Sequence, residues 1–132
     1  MTKKHEIQDI YPLSYMQEGM LFHTLLNKDT QAYVEQASFS MTGKVDTAIF
    51  QKSIAVLCAR HDIFRTIFVS QHVSVPQQVV LKERTITVEE KDLTHLDRSS
   101  QLALIDDVKK TDRAKGFHLS LIHISEPTRQ AE

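Results

Sequence analysis

Glycine is scarce in this chain, with only three among 132 residues, at Gly19, Gly43 and Gly116. Loops that cradle phosphate groups need several glycines close together, because backbone N–H groups must approach the ligand. The sharp turn that presents a catalytic serine in esterases needs a glycine on either side of that serine. Neither pattern occurs, so the sequence speaks against nucleotide binding and against serine esterase chemistry.

Cysteine, long apolar runs and an excess of positive charge are also missing. Cys58 is the only cysteine and cannot form an intramolecular disulfide. The sequence has no basic-then-apolar leader and no apolar run near the ~18 residues that a membrane span requires. The 16 basic residues are scattered and the formal net charge is -1, unlike the basic stripe of a nucleic-acid binder. We therefore expect a cytoplasmic protein that binds neither a membrane nor a nucleic acid.

Three segments combine a capping residue with an apolar stripe at helical spacing. A serine and a glutamine with the spacing of a capping box begin the first, and acidic or hydroxyl N-caps begin the others. The predicted helices cover residues 14–27, 46–60 and 97–116, with N-caps at Ser14, Asp46 and either Asp97 or Ser99, and a stop at Gly116.

Alternating or β-branched residues predict four strands, over residues 33–41, 66–69, 73–81 and 85–88. Pro76 favours an edge position or a bulge for the third of these strands, because proline cannot donate to a ladder. Residues 1–10 are polar and are expected to form a lead-in. The order of helices and strands predicts a mixed α/β or α+β domain. Strict βαβ repetition is not expected.

The histidines and the cysteine do not have the spacing of a metal site. No His-x-x-x-His pair and no Cys/His cluster occurs, so we expect no bound metal. Cys58 lies on the apolar stripe of its predicted helix, where a free cysteine usually acts as a small hydrophobe rather than a nucleophile. The apolar residues Met16, Met20 and Phe22 are either core or a ligand-binding face, and helical spacing favours core.

Two arginines, Arg60 and Arg65, flank the junction between the second helix and the strand that follows it. Each is either a cation that complements the end of a helix or a planar fork that binds a carboxylate through two hydrogen bonds. The residues alone do not decide between these interpretations. No Ser/His/Asp set or paired carboxylates occur elsewhere, so the sequence alone reveals no active site.

Two motifs resemble those of the condensation domains of nonribosomal peptide synthetases. The first is YPLSYMQEGMLFH over residues 11–23, and the second is RHDIFRTIF over residues 60–68, where the family has Arg-His-Glu-x-x-Arg-Thr-x-Phe. The second departs from the family only in Asp62, where glutamate is commoner. The resemblance continues through QQVVLKER at 77–84 to Phe-His-Leu at 117–119. Within the family, these motifs are most like those of the first domain of tyrocidine and gramicidin S synthetase subunits.

The resemblance implies the incomplete N-terminal lobe of a fold similar to chloramphenicol acetyltransferase. Members of the family join aminoacyl or peptidyl thioesters held on the phosphopantetheine arms of an upstream and a downstream carrier protein, with no cofactor bound directly. Their His-His-x-x-x-Asp-Gly motif is absent here, so the resemblance assigns no catalytic residue and implies that the chain alone is inactive. It identifies Arg65, or else Arg60, as the arginine that braces the aspartate of that motif.

The resemblance also divides the chain into three segments. Residues 1–10 are expected to serve as a segment that docks an upstream subunit, and residues 11–118 as the front of the condensation domain. Residues 119–129, LSLIHISEPTR, resemble one reading frame of a sequencing adapter, so 119–132 are expected to be a non-native tail. Two alternatives remain open, namely an inter-subunit docking module and a lobe of a related epimerisation domain, cyclisation domain or acyltransferase.

Overall fold

A computed structural model describes residues 6–27 and 33–116 of the chain. The order of elements is β1 (Ile7–Pro12), α1 (Tyr15–Leu26), α2 (Thr47–Arg60), a short 3-10 helix (Asp62–Arg65), β2 (Thr66–Val69), β3 (Gln77–Leu81) and α3 (Arg98–Lys115). This is a mixed α/β arrangement, as predicted, with a three-stranded sheet that is consistent with an incomplete lobe.

The capping signals locate the starts of all three helices correctly. Ser14 accepts a hydrogen bond from the backbone N–H of Gln17 at 3.2 Å, and the Gln17 side chain accepts from the Ser14 N–H at 2.8 Å, which completes the capping box. Asp46 caps α2 through the N–H of Ile49 at 3.0 Å. The third cap is Asp97 rather than Ser99. Local hydrogen bonds of this kind depend on spacing alone, which is why the sequence reveals them.

Gly116 ends α3 at the predicted position. Its φ of 57° lies in the left-handed region that glycine adopts without a steric penalty.

The sheet has the order β1-β3-β2, and both pairs are antiparallel. Strand β2 matches the predicted bounds. Strand β3 covers only the second half of the predicted segment 73–81 and is the central strand, so the expected edge position or bulge at Pro76 is wrong. Pro76 lies just before β3, and its missing N–H therefore costs no ladder hydrogen bond.

The predicted lead-in over residues 1–10 extends into the sheet. Residues 7–10 belong to β1, which pairs with β3, while residues 1–5 lie outside the described part. The residues of β1, Ile-Gln-Asp-Ile-Tyr-Pro, do not alternate between polar and apolar, so the strand depends on its partner β3, which composition alone does not reveal.

Two predicted strands are wrong, because residues 33–41 and 85–88 are irregular. The second of these segments is bound by a side chain instead of a strand. The Gln51 amide on α2 donates to the Ile86 carbonyl at 2.7 Å and accepts from the Val88 N–H at 2.8 Å. The first segment contacts α3, where Gln36 donates to the Lys109 carbonyl at 3.1 Å.

The core of the described part is small and lies mostly on the sheet, with Leu21 of α1 and Cys58 of α2 also buried. Ile67, Val79 and Leu81 form the buried cluster, with Val69 packed against it. The expectation that Met16, Met20 and Phe22 are core residues is wrong for this chain, because these side chains are 78%, 39% and 59% exposed. No part of the described chain forms a helix long and apolar enough to cross a membrane.

Candidate functional site

Arg65 is the buried charged residue of the described core, with 5% of its surface exposed. It is the last residue of the 3-10 helix that connects α2 to β2. Three features of the fold place Arg65 between α2 and the sheet. They are the end of α2 at Arg60, the 3-10 helix over Asp62–Arg65 and the β-branched start of β2. Burial of a guanidinium is costly unless its N–H groups find acceptors.

Neutral acceptors bind Nε and Nη1 of the Arg65 guanidinium. Its Nε donates to the carbonyl of Cys58 at 2.8 Å, near the end of α2. Its Nη1 donates to the Gln8 side-chain oxygen of β1 at 2.7 Å and also to the carbonyl of Leu81 at the end of β3. Arg65 therefore joins a helix to both strands of the β1–β3 pair.

The third nitrogen, Nη2, contacts a carboxylate. Arg65 Nη2 donates to Asp62 Oδ1, and the Asp62 side chain is 54% exposed. A guanidinium has five N–H donors. Four are used here, and within the described residues the second Nη2 hydrogen has no acceptor. The arrangement can hold one further carboxylate oxygen through that hydrogen.

Arg60 is in a different environment. It lies exposed in the last turn of α2, where a cation complements the partial negative charge of the helix end. The resemblance identified Arg65 first and Arg60 second, and the two have different surroundings: hydrogen bonds join Arg65 to β1 and β3, whereas Arg60 is exposed.

Tyr11 on β1 lies within electrostatic range of Asp62, the carboxylate that binds Arg65. Tyr11 on β1 donates to Asp9 Oδ2 at 2.7 Å. That hydrogen bond is the main reason why the pKa of Tyr11 is raised, with smaller contributions from burial and from the charges of Asp9 and Asp62. The phenol is protonated at neutral pH, as an ordinary tyrosine is, and donates this hydrogen bond.

Cys58 contributes its backbone carbonyl to the site. Its side chain is only 2% exposed and lies in the core, in agreement with the interpretation of a small hydrophobe. Sequence analysis missed Gln8, which lies 57 residues from Arg65, and the Leu81 carbonyl, which lies 16 residues away. No motif spacing could have indicated either contact.

Among the described residues, no group of three or more histidine, cysteine, aspartate or glutamate side chains could hold a metal ion.

The model of the condensation domain family matches residues 7–123. The chain belongs to the condensation domain family. The match begins at β1 and includes both arginines and every element described above.

Curated proteins of nonribosomal peptide synthesis are similar to this condensation domain chain. A plipastatin synthase protein of Bacillus subtilis (strain 168) is 65% identical over 90% of the chain. Tyrocidine synthase 2 of Brevibacillus parabrevis is 41% identical and gramicidin S synthase 2 of Brevibacillus brevis is 42% identical, each over 89% of the chain. The chain spans about 3% of the length of each of these relatives. It is thus a condensation domain fragment that is short relative to whole synthetase subunits.

Proposed function

We propose that this fragment supplies the arginine that braces the catalytic motif of a peptide-bond-forming condensation domain. The observation that carries the proposal is the buried guanidinium of Arg65, whose remaining Nη2 hydrogen suits a carboxylate oxygen. The aspartate of the His-His-x-x-x-Asp-Gly motif is the carboxylate that we propose. This motif does not occur in the chain, so the remainder of the domain must provide it.

The reaction of the whole domain joins two thioester-bound substrates. The amine of the downstream aminoacyl thioester attacks the carbonyl carbon of the upstream thioester. A C–N bond forms, the C–S bond breaks, and the phosphopantetheine thiol leaves with a proton. Arg65 touches neither substrate in this scheme and acts by orienting the motif, because small displacements of a catalytic group reduce the rate strongly.

The partners that we propose are an upstream and a downstream carrier protein. Their phosphopantetheine arms carry both substrates, so the domain itself needs no bound cofactor. We further propose a cytoplasmic location, as the sequence suggests. A lobe of an epimerisation or cyclisation domain is the alternative, and the residues at the position of the missing motif would distinguish these.

The complete subunit tests the role of Arg65. Arg65→Ala should lower the rate of condensation between carrier-bound substrates by at least about tenfold, since a hydrogen bond to a charged group contributes about 1.5 to 3 kcal/mol. Arg65→Lys should recover only part of the rate, because lysine keeps the charge and loses the planar fork. Arg60→Ala is the matched control and should retain the rate. An unchanged rate in Arg65→Ala would show that the brace lies elsewhere.

We also propose that residues 119–132 are foreign to the domain. Their resemblance to an adapter reading frame supports this. The segment lies outside the described residues, and the family match extends into its first five residues, 119–123. Resequencing the locus without adapters should show codons that continue the domain after residue 119 or 120. A genome that encodes the tail as it stands would contradict the proposal.

A further inference from the structure

The pairing of β1 with β3 contains a bulge at Gln8. Ile7 pairs with Leu81 and Asp9 pairs with Val80, so two steps along β1 match one step along β3. Gln8 is the additional residue.

The ladder continues on both sides of this bulge. Towards the N-terminus, the Lys82 N–H donates to the Glu6 carbonyl at 2.9 Å, and the two side chains form an ion pair at 2.7 Å. Towards the C-terminus, regular pairs run from Asp9 to Pro12. The bulge therefore lies inside the paired region and is not a frayed end.

A bulge changes the direction of the side chain it carries, because the alternation of a regular strand is interrupted. Here the Gln8 side-chain oxygen lies 2.7 Å from Arg65 Nη1. The Leu81 carbonyl, from the residue paired with Ile7, accepts from the same Nη1. Both acceptors of Nη1 thus come from the two strands at the bulge.

We propose that Gln8 is a positioning residue for Arg65, oriented by the β1 bulge. This inference rests on the proposed function. Gln8, Leu81 and Cys58 present acceptor oxygens to Nε and Nη1, and these hydrogen bonds fix the plane of the guanidinium. Nη2 contacts Asp62 and keeps one hydrogen for a further carboxylate oxygen. Gln8 therefore acts on the reaction only through the orientation of Arg65.

Two substitutions at position 8 of the complete subunit separate this role from a structural one. Gln8→Met has a similar size and removes the acceptor, whereas Gln8→Glu keeps an acceptor oxygen. Gln8→Met should lower kcat about tenfold, as expected for the loss of one hydrogen bond to a charged group, and should leave the KM for both carrier-bound substrates unchanged. Gln8→Glu should retain a kcat several-fold higher than that of Gln8→Met.

Gln101→Met is the matched control. The Gln101 amide donates to the carbonyls of Leu93 and Leu96 at 2.9 and 3.1 Å, far along the chain from Arg65 in a purely structural contact. Gln101→Met should lower the melting temperature and leave kcat unchanged. Gln8→Met in an Arg65→Lys background should have little further effect on kcat, because lysine lacks the Nη1 group that Gln8 binds.

Three outcomes would overturn the inference. The first is a kcat for Gln8→Met equal to that of the unaltered subunit, and the second is an equal fall in kcat for Gln8→Met and Gln8→Glu. The third is a full additional loss of kcat when Gln8→Met is combined with Arg65→Lys. In each case a reduced rate in Arg65→Ala would leave the proposed function intact, whereas an unchanged rate in Arg65→Ala would remove the proposed function itself.

Discussion

At the scale of single residues, Arg65 shows how a buried cation is stabilised mostly by uncharged groups. Its one carboxylate partner among the described residues, Asp62, is more than half exposed, and ion pairs with an exposed member contribute little to stability. The carbonyls of Cys58 and Leu81 belong to buried residues. They would lose their charged donor if the guanidinium were removed, and an unsatisfied buried acceptor is costly.

Arg65→Ala should therefore destabilise the complete condensation domain by about 2 to 4 kcal/mol, chiefly through these carbonyls. Denaturant unfolding of the domain would measure this change. Arg60→Ala, at an exposed helix end, should remain within about 0.5 kcal/mol of the unaltered domain. Equal losses for both variants would show that the buried hydrogen bonds do not determine the stability of this region.

The sequence identified Arg65 but not its surroundings. The second motif marked both arginines, and the geometry then separated a sheet-bound Arg65 from an exposed Arg60. Gln8 lay in a segment interpreted as a lead-in, and nothing about a polar residue near position 8 indicates a bulge. A bulge depends on the register between two strands, which is a property of tertiary pairing.

At the scale of elements, the sequence predicts helix starts better than it predicts strands. The helices begin at their predicted caps because a cap and its N–H partner lie within one turn. The predicted strands over 33–41 and 85–88 fail because a strand needs a neighbour, and alternation does not supply one. Gln51 binds the second of these segments through backbone groups at residues 86 and 88, in place of a neighbouring strand.

The cap of α3 is expected to depend on pH. Hydrogen bonds from the Ser100 side chain and backbone lower the pKa of Asp97. Because the folded pKa is below the ordinary aspartate value of about 3.9, the cap stabilises the helix fully above that value. This contribution is lost as the pH falls through the folded-state pKa.

Asp97→Ala should lower the melting temperature of the complete domain by a few degrees at neutral pH. The difference from the unaltered domain should shrink as the pH is lowered below about 4. Thermal unfolding at several pH values would measure both effects. Asp97→Asn, which keeps a capping oxygen and does not titrate, should show a smaller loss at neutral pH. If the melting temperatures of the unaltered domain and of Asp97→Ala differ by the same amount at every pH, the ionised carboxylate is not what stabilises the cap.

At the scale of the whole molecule, the described residues leave much apolar surface uncovered. The buried core consists of a few residues, most of them on the sheet, while many large apolar side chains of the helices stay exposed. On α2, for example, Ile49 is 61% and Val56 is 62% exposed. Apolar surface of this extent is unusual in an isolated soluble domain, and it agrees with a fragment of a larger condensation domain.

The N-terminal segment, residues 1–10, overlaps with the sheet, because β1 begins at Ile7. Docking of an upstream subunit is proposed for residues 1–10, yet Ile7 and Gln8 belong to β1 and Gln8 binds Arg65. A deletion that reaches residue 8 would therefore remove sheet pairing together with any docking contact. Deleting residues 2–5 spares every residue of β1.

In the complete subunit, deletion of residues 2–5 should reduce transfer from a separate upstream subunit and leave transfer from a fused donor carrier unchanged. Deletion of residues 2–8 should reduce both transfers and lower the melting temperature, since it removes the Gln8–Arg65 hydrogen bond and the Ile7–Leu81 pair. Peptide formation in the separate and fused formats, together with thermal unfolding, would measure these effects. If the shorter deletion lowers transfer equally in both formats, residues 2–5 contribute to folding, and the docking proposal is wrong.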